Sequence, residues 1–175
     1  LVSHQGNRMH RIRPARRNDP TSQTTVEEIQ TGVGGAHGLL YALGSLYAVT
    51  GAAHPQTGVY RIPDIDGQGN FGPPDLLAKL PGGGEHGPHG IVLGPQGRWL
   101  YFIAGNATGL PEGITRNHVA QIAPTPHQQR PRPQGWVMRI APDGRQRELF
   151  SMGLRNAYDL AFDTEGELFT FDSDN

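Results

Sequence analysis

Apolar residues in this chain come in short runs that recur in the same order. His37-Gly38-Leu39-Leu40-Tyr41 passes through Gly44 to Leu46-Tyr47-Ala48-Val49. His89-Gly90-Ile91-Val92-Leu93 passes through Gly97 to Trp99-Leu100-Tyr101-Phe102-Ile103. Tyr158-Asp159-Leu160-Ala161-Phe162 passes through Gly166 to Leu168-Phe169-Thr170-Phe171. An apolar run, a glycine turn and a second apolar run predict a β-hairpin, the glycine taking the positive φ that other residues resist. A third, alternating run reads Met9-His10-Arg11-Ile12, Val59-Tyr60-Arg61-Ile62 and Val137-Met138-Arg139-Ile140, each reaching a proline at 14, 63 or 142. Weaker fourth runs follow at 25–29, 76–80 and 147–150.

Four antiparallel strands per repeat is the plan of a β-propeller blade. The repeats start at His37, His89 and Tyr158, 52 and 69 residues apart, where a blade takes about 40–50. The excess falls in 106–135, a stretch with five prolines that reads as a long loop within one blade. The expected organisation is therefore all-β, a partial propeller of about three four-stranded blades. Residues 1–30 end one blade, 31–81 form the second, 82–152 the third with its loop, and 153–175 start the next. A β-sandwich is the rival all-β fold, and the threefold repeat argues against it.

Composition agrees. The 175 residues include 25 Gly and 15 Pro, with 18% charged and 7% aromatic, which excludes a helical bundle or coiled coil. The net charge of −1 gives no general attraction to nucleic acid or anionic membrane. The arginines at 8, 11, 13, 16 and 17 read as a solvated strand face, since no aromatic stacking platform accompanies them. There is no Cys, hence no disulfide and no thiolate chemistry. No apolar run approaches the roughly 20 residues that span a bilayer, so no direct membrane insertion is expected of this segment. Strand-like residues at both ends read as an internal piece of a longer protein.

Two stretches carry candidate chemistry. Gly82-Gly83-Gly84-Glu85-His86-Gly87-Pro88-His89-Gly90 places an acid and two histidines in a glycine-rich connection before the first strand of a blade. That connection is expected at the mouth of a propeller channel. A histidine there suits general-base work because its ordinary pKa is near 6.5, with Glu85 to orient the imidazole. A glycine turn whose histidines bond to backbone carbonyls is the plainer reading, and Glu85, His86 and His89 as metal ligands a weaker one. Gly153-Leu154-Arg155-Asn156-Ala157-Tyr158-Asp159 occupies the same position one blade later, where Arg155 offers a planar cation for an oxyanion. Asp64-Ile65-Asp66-Gly67-Gln68-Gly69-Asn70 resembles a calcium loop without its bidentate Glu and reads as a turn. Asn106-Ala107-Thr108 fits the N-glycosylation pattern.

Taken together, Glu85-His86-Gly87-Pro88-His89 with Ile91-Val92-Leu93-Gly94-Pro95, and Gly153-Leu154-Arg155-Asn156 with Asp159-Leu160-Ala161-Phe162, resemble the glucose/sorbosone dehydrogenase family. The likeness is nearest to its sorbosone-dehydrogenase-like bacterial propellers and is most specific over 82–105 and 136–174. It implies a six-bladed propeller, periplasmic or extracellular, that passes hydride from a sugar or aldehyde to pyrroloquinoline quinone, commonly with calcium. It implies His86 as base with Glu85 beside it, and Arg155 as stabiliser of negative charge. Arg155, Asn156 and His89 would contact the cofactor, and Asp172 and Asp174 would lie near the metal loop. There the chain departs from the family, having Asp174-Asn175 where the soluble enzymes use a Gly-Pro pair. A c-type cytochrome is the implied electron acceptor. A calcium-dependent lactonase-type hydrolase and a non-catalytic ligand- or protein-binding propeller remain as alternatives.

Overall fold

A computed structural model describes residues 1–4, 8–52, 54–110 and 135–173. Among these the chain is all β, with no α-helix and one short 3-10 turn at Pro95–Gly97. Thirteen strands form four antiparallel sheets. The first holds β1 (Val2–His4), β2 (Arg8–Arg13) and β3 (Thr25–Ile29). The second holds β4 (Ala36–Ala42), β5 (Ser45–Thr50), β6 (Gly58–Pro63) and β7 (Asp75–Lys79). The third holds β8 (Pro88–Leu93), β9 (Leu100–Ala104), β10 (Gly135–Ile140) and β11 (Arg147–Leu154). The fourth is the hairpin of β12 (Leu160–Phe162) and β13 (Leu168–Thr170). Within every sheet the strands lie in chain order.

The hairpin registers repeat as the sequence does. Leu40 lies opposite Tyr47, Val92 opposite Tyr101, and Ala161 opposite Phe169. The turn glycines 44, 97 and 166 take φ of 67°, 68° and 86°, the left-handed region expected of them.

Alternation along the second strand of each repeat decides what touches what. Tyr47 and Val49 pack toward the third sheet, where Leu100, Phe102, Trp136 and Met138 meet them. Leu46 and Ala48 point the other way, onto Met9 of the first sheet. One repeat later Tyr101 and Ile103 face Leu160 of the fourth sheet. The second and third sheets are therefore covered on both faces, and every residue of β5 and β9 is buried. A sandwich buries one face of each sheet; this stack of sheets does not follow that plan.

The first strands β4, β8 and β12 run side by side at one edge of the stack. A Cβ on Gly38 would lie 2.4 Å from the His89 carbonyl oxygen. The Gly90 N–H donates to the Tyr158 carbonyl at 2.9 Å. Only glycine allows backbones this close.

The other sequence features resolve simply. In the 64–70 loop the carboxylates of Asp64 and Asp66 accept the N–H groups of Gly69 and Gln68. The Arg11 guanidinium donates to the carbonyls of Gln68 and Gly69, each at 3.2 Å. Arg11 and Arg13 both pair with Glu27, and Arg16 with Asp19. Most of the long loop expected at 106–135 lies outside the described residues.

Candidate functional site

Three segments meet at the end of the stack where β4, β8 and β12 begin. The first is the glycine-rich approach to β8, with Gly82 and Gly84 at φ of 80° and 99°. The second is the turn that follows β9. The third is the passage from β11 into β12. They are laced by backbone bonds. The Ala107 N–H donates to His86 O at 3.0 Å, Gly105 N–H to Gly87 O at 2.8 Å, and Asn106 N–H to Arg155 O at 2.8 Å. A Cβ on Gly105 would fall 2.7 Å from both Asn156 Oδ1 and His86 O, so that position has no room for a side chain.

Asp172, just past β13, fixes the third segment. Its Oδ2 accepts the Arg155 N–H at 2.7 Å and its Oδ1 the Asn156 N–H at 2.8 Å. Arg155, half-buried, donates from Nη1 to Ser173 O at 3.2 Å.

The two histidines have opposite settings. His86 Nδ1 lies 2.7 Å from Asn106 Oδ1. An amide oxygen only accepts, so Nδ1 carries the proton and Nε2 presents a lone pair. His86 is half-buried. His89 is 1% exposed, and its Nε2 lies 2.9 Å from Asn156 Oδ1. Here Nε2 carries the proton, and Nδ1 has no hydrogen-bond partner among the described residues. Burial pushes the His89 pKa below its ordinary value, against the smaller upward pull of Asn156, and the neighbouring His37 and His86 push it down further.

His89 is also the middle rung of a ring stack. Its ring lies 4.0 Å from that of Tyr158 with 22° between planes, and 5.7 Å from that of His37 with 15°. These are the same position in three successive repeats. His37 Nδ1 lies 3.1 Å from the Pro88 carbonyl. Its ring sits over Gly51, where a Cβ would come within 2.5 Å of it.

Of the residues singled out from sequence, His86, His89, Arg155, Asn156 and Asp172 are thus tied into one network, although up to 86 positions separate them. One expectation changes. Glu85 does not orient His86: it is exposed, and the imidazole's partner is Asn106. Asn106, whose triplet fits the N-glycosylation pattern, has its amide oxygen engaged with His86, and Thr108 is buried. Asp174 lies outside the described residues. Among the described residues no three His, Asp or Glu side chains converge as a metal site, the Glu85–His86–His89 trio included.

Sequence reasoning missed Asn106 as a partner of His86 and missed the ring stack. The stack had a signal, because the repeat alignment puts His37, His89 and Tyr158 in one column. Asn106 had none, since its partner lies 20 residues away across a turn. Clefts of about 290 Å³ beside Met9 and Thr31 and about 370 Å³ beside Tyr41 and Phe71 lie elsewhere, between the first two sheets. No family model matches the chain, and no curated protein matches it.

Proposed function

We propose that the chain is a run of β-propeller blades, the expected ring having six. Its inner-strand ends carry the site of a quinone-dependent sugar or aldehyde dehydrogenase. The blade reading is supported by the repeated register and by sheets covered on both faces. The single observation behind the activity is the Asn106 bridge. Its amide holds His86 with Nε2 bare, and its backbone N–H holds the Arg155 turn alongside.

His86 Nε2 is then the acceptor for a proton from a substrate hydroxyl or aldehyde hydrate. Arg155 supplies fixed positive charge where negative charge grows, an effect worth most in a site that is preorganised and partly dry. The Asp172 cap keeps Arg155 from drifting at no cost in its own cation. His89 is neutral and fixes Asn156.

Pyrroloquinoline quinone, when bound, would supply the two-electron acceptor. A planar polyanion needs a flat face and a cation; the exposed ring of Tyr158 would offer the first and Arg155, three residues before it in the sequence, the second. Calcium is given no step in this scheme; Asp172 accepts one backbone N–H on each oxygen and would keep a lone pair on each for a cation. The substrate is a sugar or aldehyde, and a periplasmic or extracellular setting with a cytochrome acceptor goes with that chemistry.

The test is dye-linked oxidation of aldoses and aldehydes by the quinone-loaded protein, with quinone binding followed separately. His86→Ala is expected to abolish turnover and leave quinone binding within about threefold. Arg155→Ala is expected to weaken both, since it removes a charge-assisted contact. Full turnover in His86→Ala, or no quinone binding by the wild type, contradicts the reading.

A further inference from the structure

His89 sits on β8 where the third sheet meets the fourth, and it is buried. Its Nε2–H donates to Asn156 Oδ1, and the Tyr158 ring lies against its own at 4.0 Å. The next residue, Gly90, donates its N–H to the Tyr158 carbonyl at 2.9 Å. One side-chain bond, one ring stack and one backbone bond, all within two residues of β8, thus tie this strand to the entry of β12.

These contacts are made by the neutral imidazole. A second proton would have to sit on Nδ1, which is buried and has no acceptor among the described residues. The charged and titratable groups around the ring are His37 on β4, His86 in its own approach segment, Arg155, Tyr158 and Asp159 in the passage into β12, and Asp172 behind Asn156. None of them bonds to Nδ1. β5 and β9, which also border β8, carry no acid, lysine, arginine or histidine. The face of Tyr158 attracts a cation. Burial opposes one and outweighs that attraction, and His37 and His86 add to the opposition. A ring that has swung out into water meets none of these costs.

We infer that His89 is an acid-released catch between the third and fourth sheets: on taking up a proton its ring leaves the stack, and the Asn156 bond and the Gly90–Tyr158 backbone bond are lost with it. The opening is local, because the apolar cluster of Ile103, Val137, Ala157 and Leu160 still joins the two sheets. It frees Asn156, the neighbour of Arg155, so mild acid would loosen the turn that carries Arg155. The catch rests on the geometry of the joint and not on the dehydrogenase reading. Its pH sign follows from linkage. The closed form holds the proton less well than the open form, whose pKa is the ordinary value near 6.5. Opening is therefore independent of pH above about 6.5 and rises by at most roughly tenfold per pH unit below it, until the closed form also charges.

The experiment is amide hydrogen exchange on the protein from about pH 7.5 to 5, a window that brackets an ordinary histidine and lies above ordinary carboxylates. Rates are expressed as protection factors, which removes the intrinsic pH dependence of exchange. Gly90 is expected to hold its protection above about pH 6.5 and to lose up to roughly tenfold per unit below it. Gly94, whose N–H donates to the Trp99 carbonyl in the turn of the same hairpin, is expected to stay level. His89→Gln keeps a donor for Asn156 and cannot charge, so its Gly90 protection should be flat. His37→Gln and His86→Gln should keep the acid dependence. Flat Gly90 protection in the wild type, an acid dependence that survives in His89→Gln, or an equal loss at Gly94 overturns the inference. If His89→Gln does not fold, the wild-type His89 ring resonances decide: a midpoint below about 6.5 that moves with the loss at Gly90 supports the catch, and one at or above it overturns it.

Discussion

Replacing Gly38 by Ala places a methyl group against the neighbouring inner strand. The new Cβ would sit 2.4 Å from the His89 carbonyl oxygen and 3.2 Å from the Gly90 Cα. Ordinary contact begins at 3.4 Å, so β4 and β8 must separate by about 1 Å. The obstacle is backbone, which cannot rotate away as a side chain can. Gly38 is outside the left-handed region, so Ala adds no φ penalty there. Overpacking of this kind costs about 1–3 kcal/mol. Loss of glycine's freedom in the unfolded chain returns up to about 1 kcal/mol. The net expectation is a loss of about 1–2 kcal/mol, or a fall of about 0.5–1 M in the urea midpoint for an ordinary m-value. Gly44→Ala is the control. It has nothing within 4 Å and a φ of 67°, so its cost is conformational and local. The two are separated by the ring stack. Gly38→Ala is expected to shift the His89 and Tyr158 ring resonances in NMR, and Gly44→Ala to leave them in place. A Gly38→Ala protein with unchanged midpoint and unchanged ring resonances would refute the close packing of the inner strands.

Three further outcomes are expected. Trp136, fully buried against Phe102 and bonded from Nε1 to Thr108 O, should cost about 3–5 kcal/mol on change to Ala, read by denaturant unfolding. His89 has a folded pKa below its unfolded value near 6.5, so the unfolded chain takes up the proton first. Its contribution is complete above pH 6.5 and declines as pH falls below that value; His89→Gln should flatten this part of the stability–pH curve. Asp172→Ala leaves the Arg155 and Asn156 N–H groups without their acceptor and should cost about 1–3 kcal/mol. Amide hydrogen exchange at those two residues should rise more than elsewhere.

The sheets were legible in the sequence because each is a local object. Glycine turns at 44, 97 and 166 and the alternation on either side determine the hairpin registers, and the triple repetition supplies the check. Burial on both faces comes from the structure, in which every residue of β5 and β9 around Val49 and Phe102 is buried. The site was legible only by kind. His86 and Arg155 stand out as unusual residues at equivalent ends of repeats, and the fold brings those ends together. Their partners did not stand out. Asn106 stood out only as part of a glycosylation-like triplet, and Asp172 as a metal-loop residue, because what each does depends on partners 16 to 20 residues away, the His86 imidazole for one and the Arg155 and Asn156 N–H groups for the other. Glu85 failed for a related reason: the group that meets the His86 imidazole comes from a turn 20 residues on and not from its neighbour in sequence.

The most direct measurement is the imidazole ¹⁵N spectrum of the protein at a pH where all histidines are neutral. His86 is expected to be protonated at Nδ1, with an unprotonated Nε2 available as base, and His89 to hold the opposite form, protonated at Nε2. Asn106→Ala should release His86 into exchange between both forms and leave His89 unchanged. His86 found protonated at Nε2, or unaffected by loss of Asn106, would contradict the claim that this loop network prepares a base.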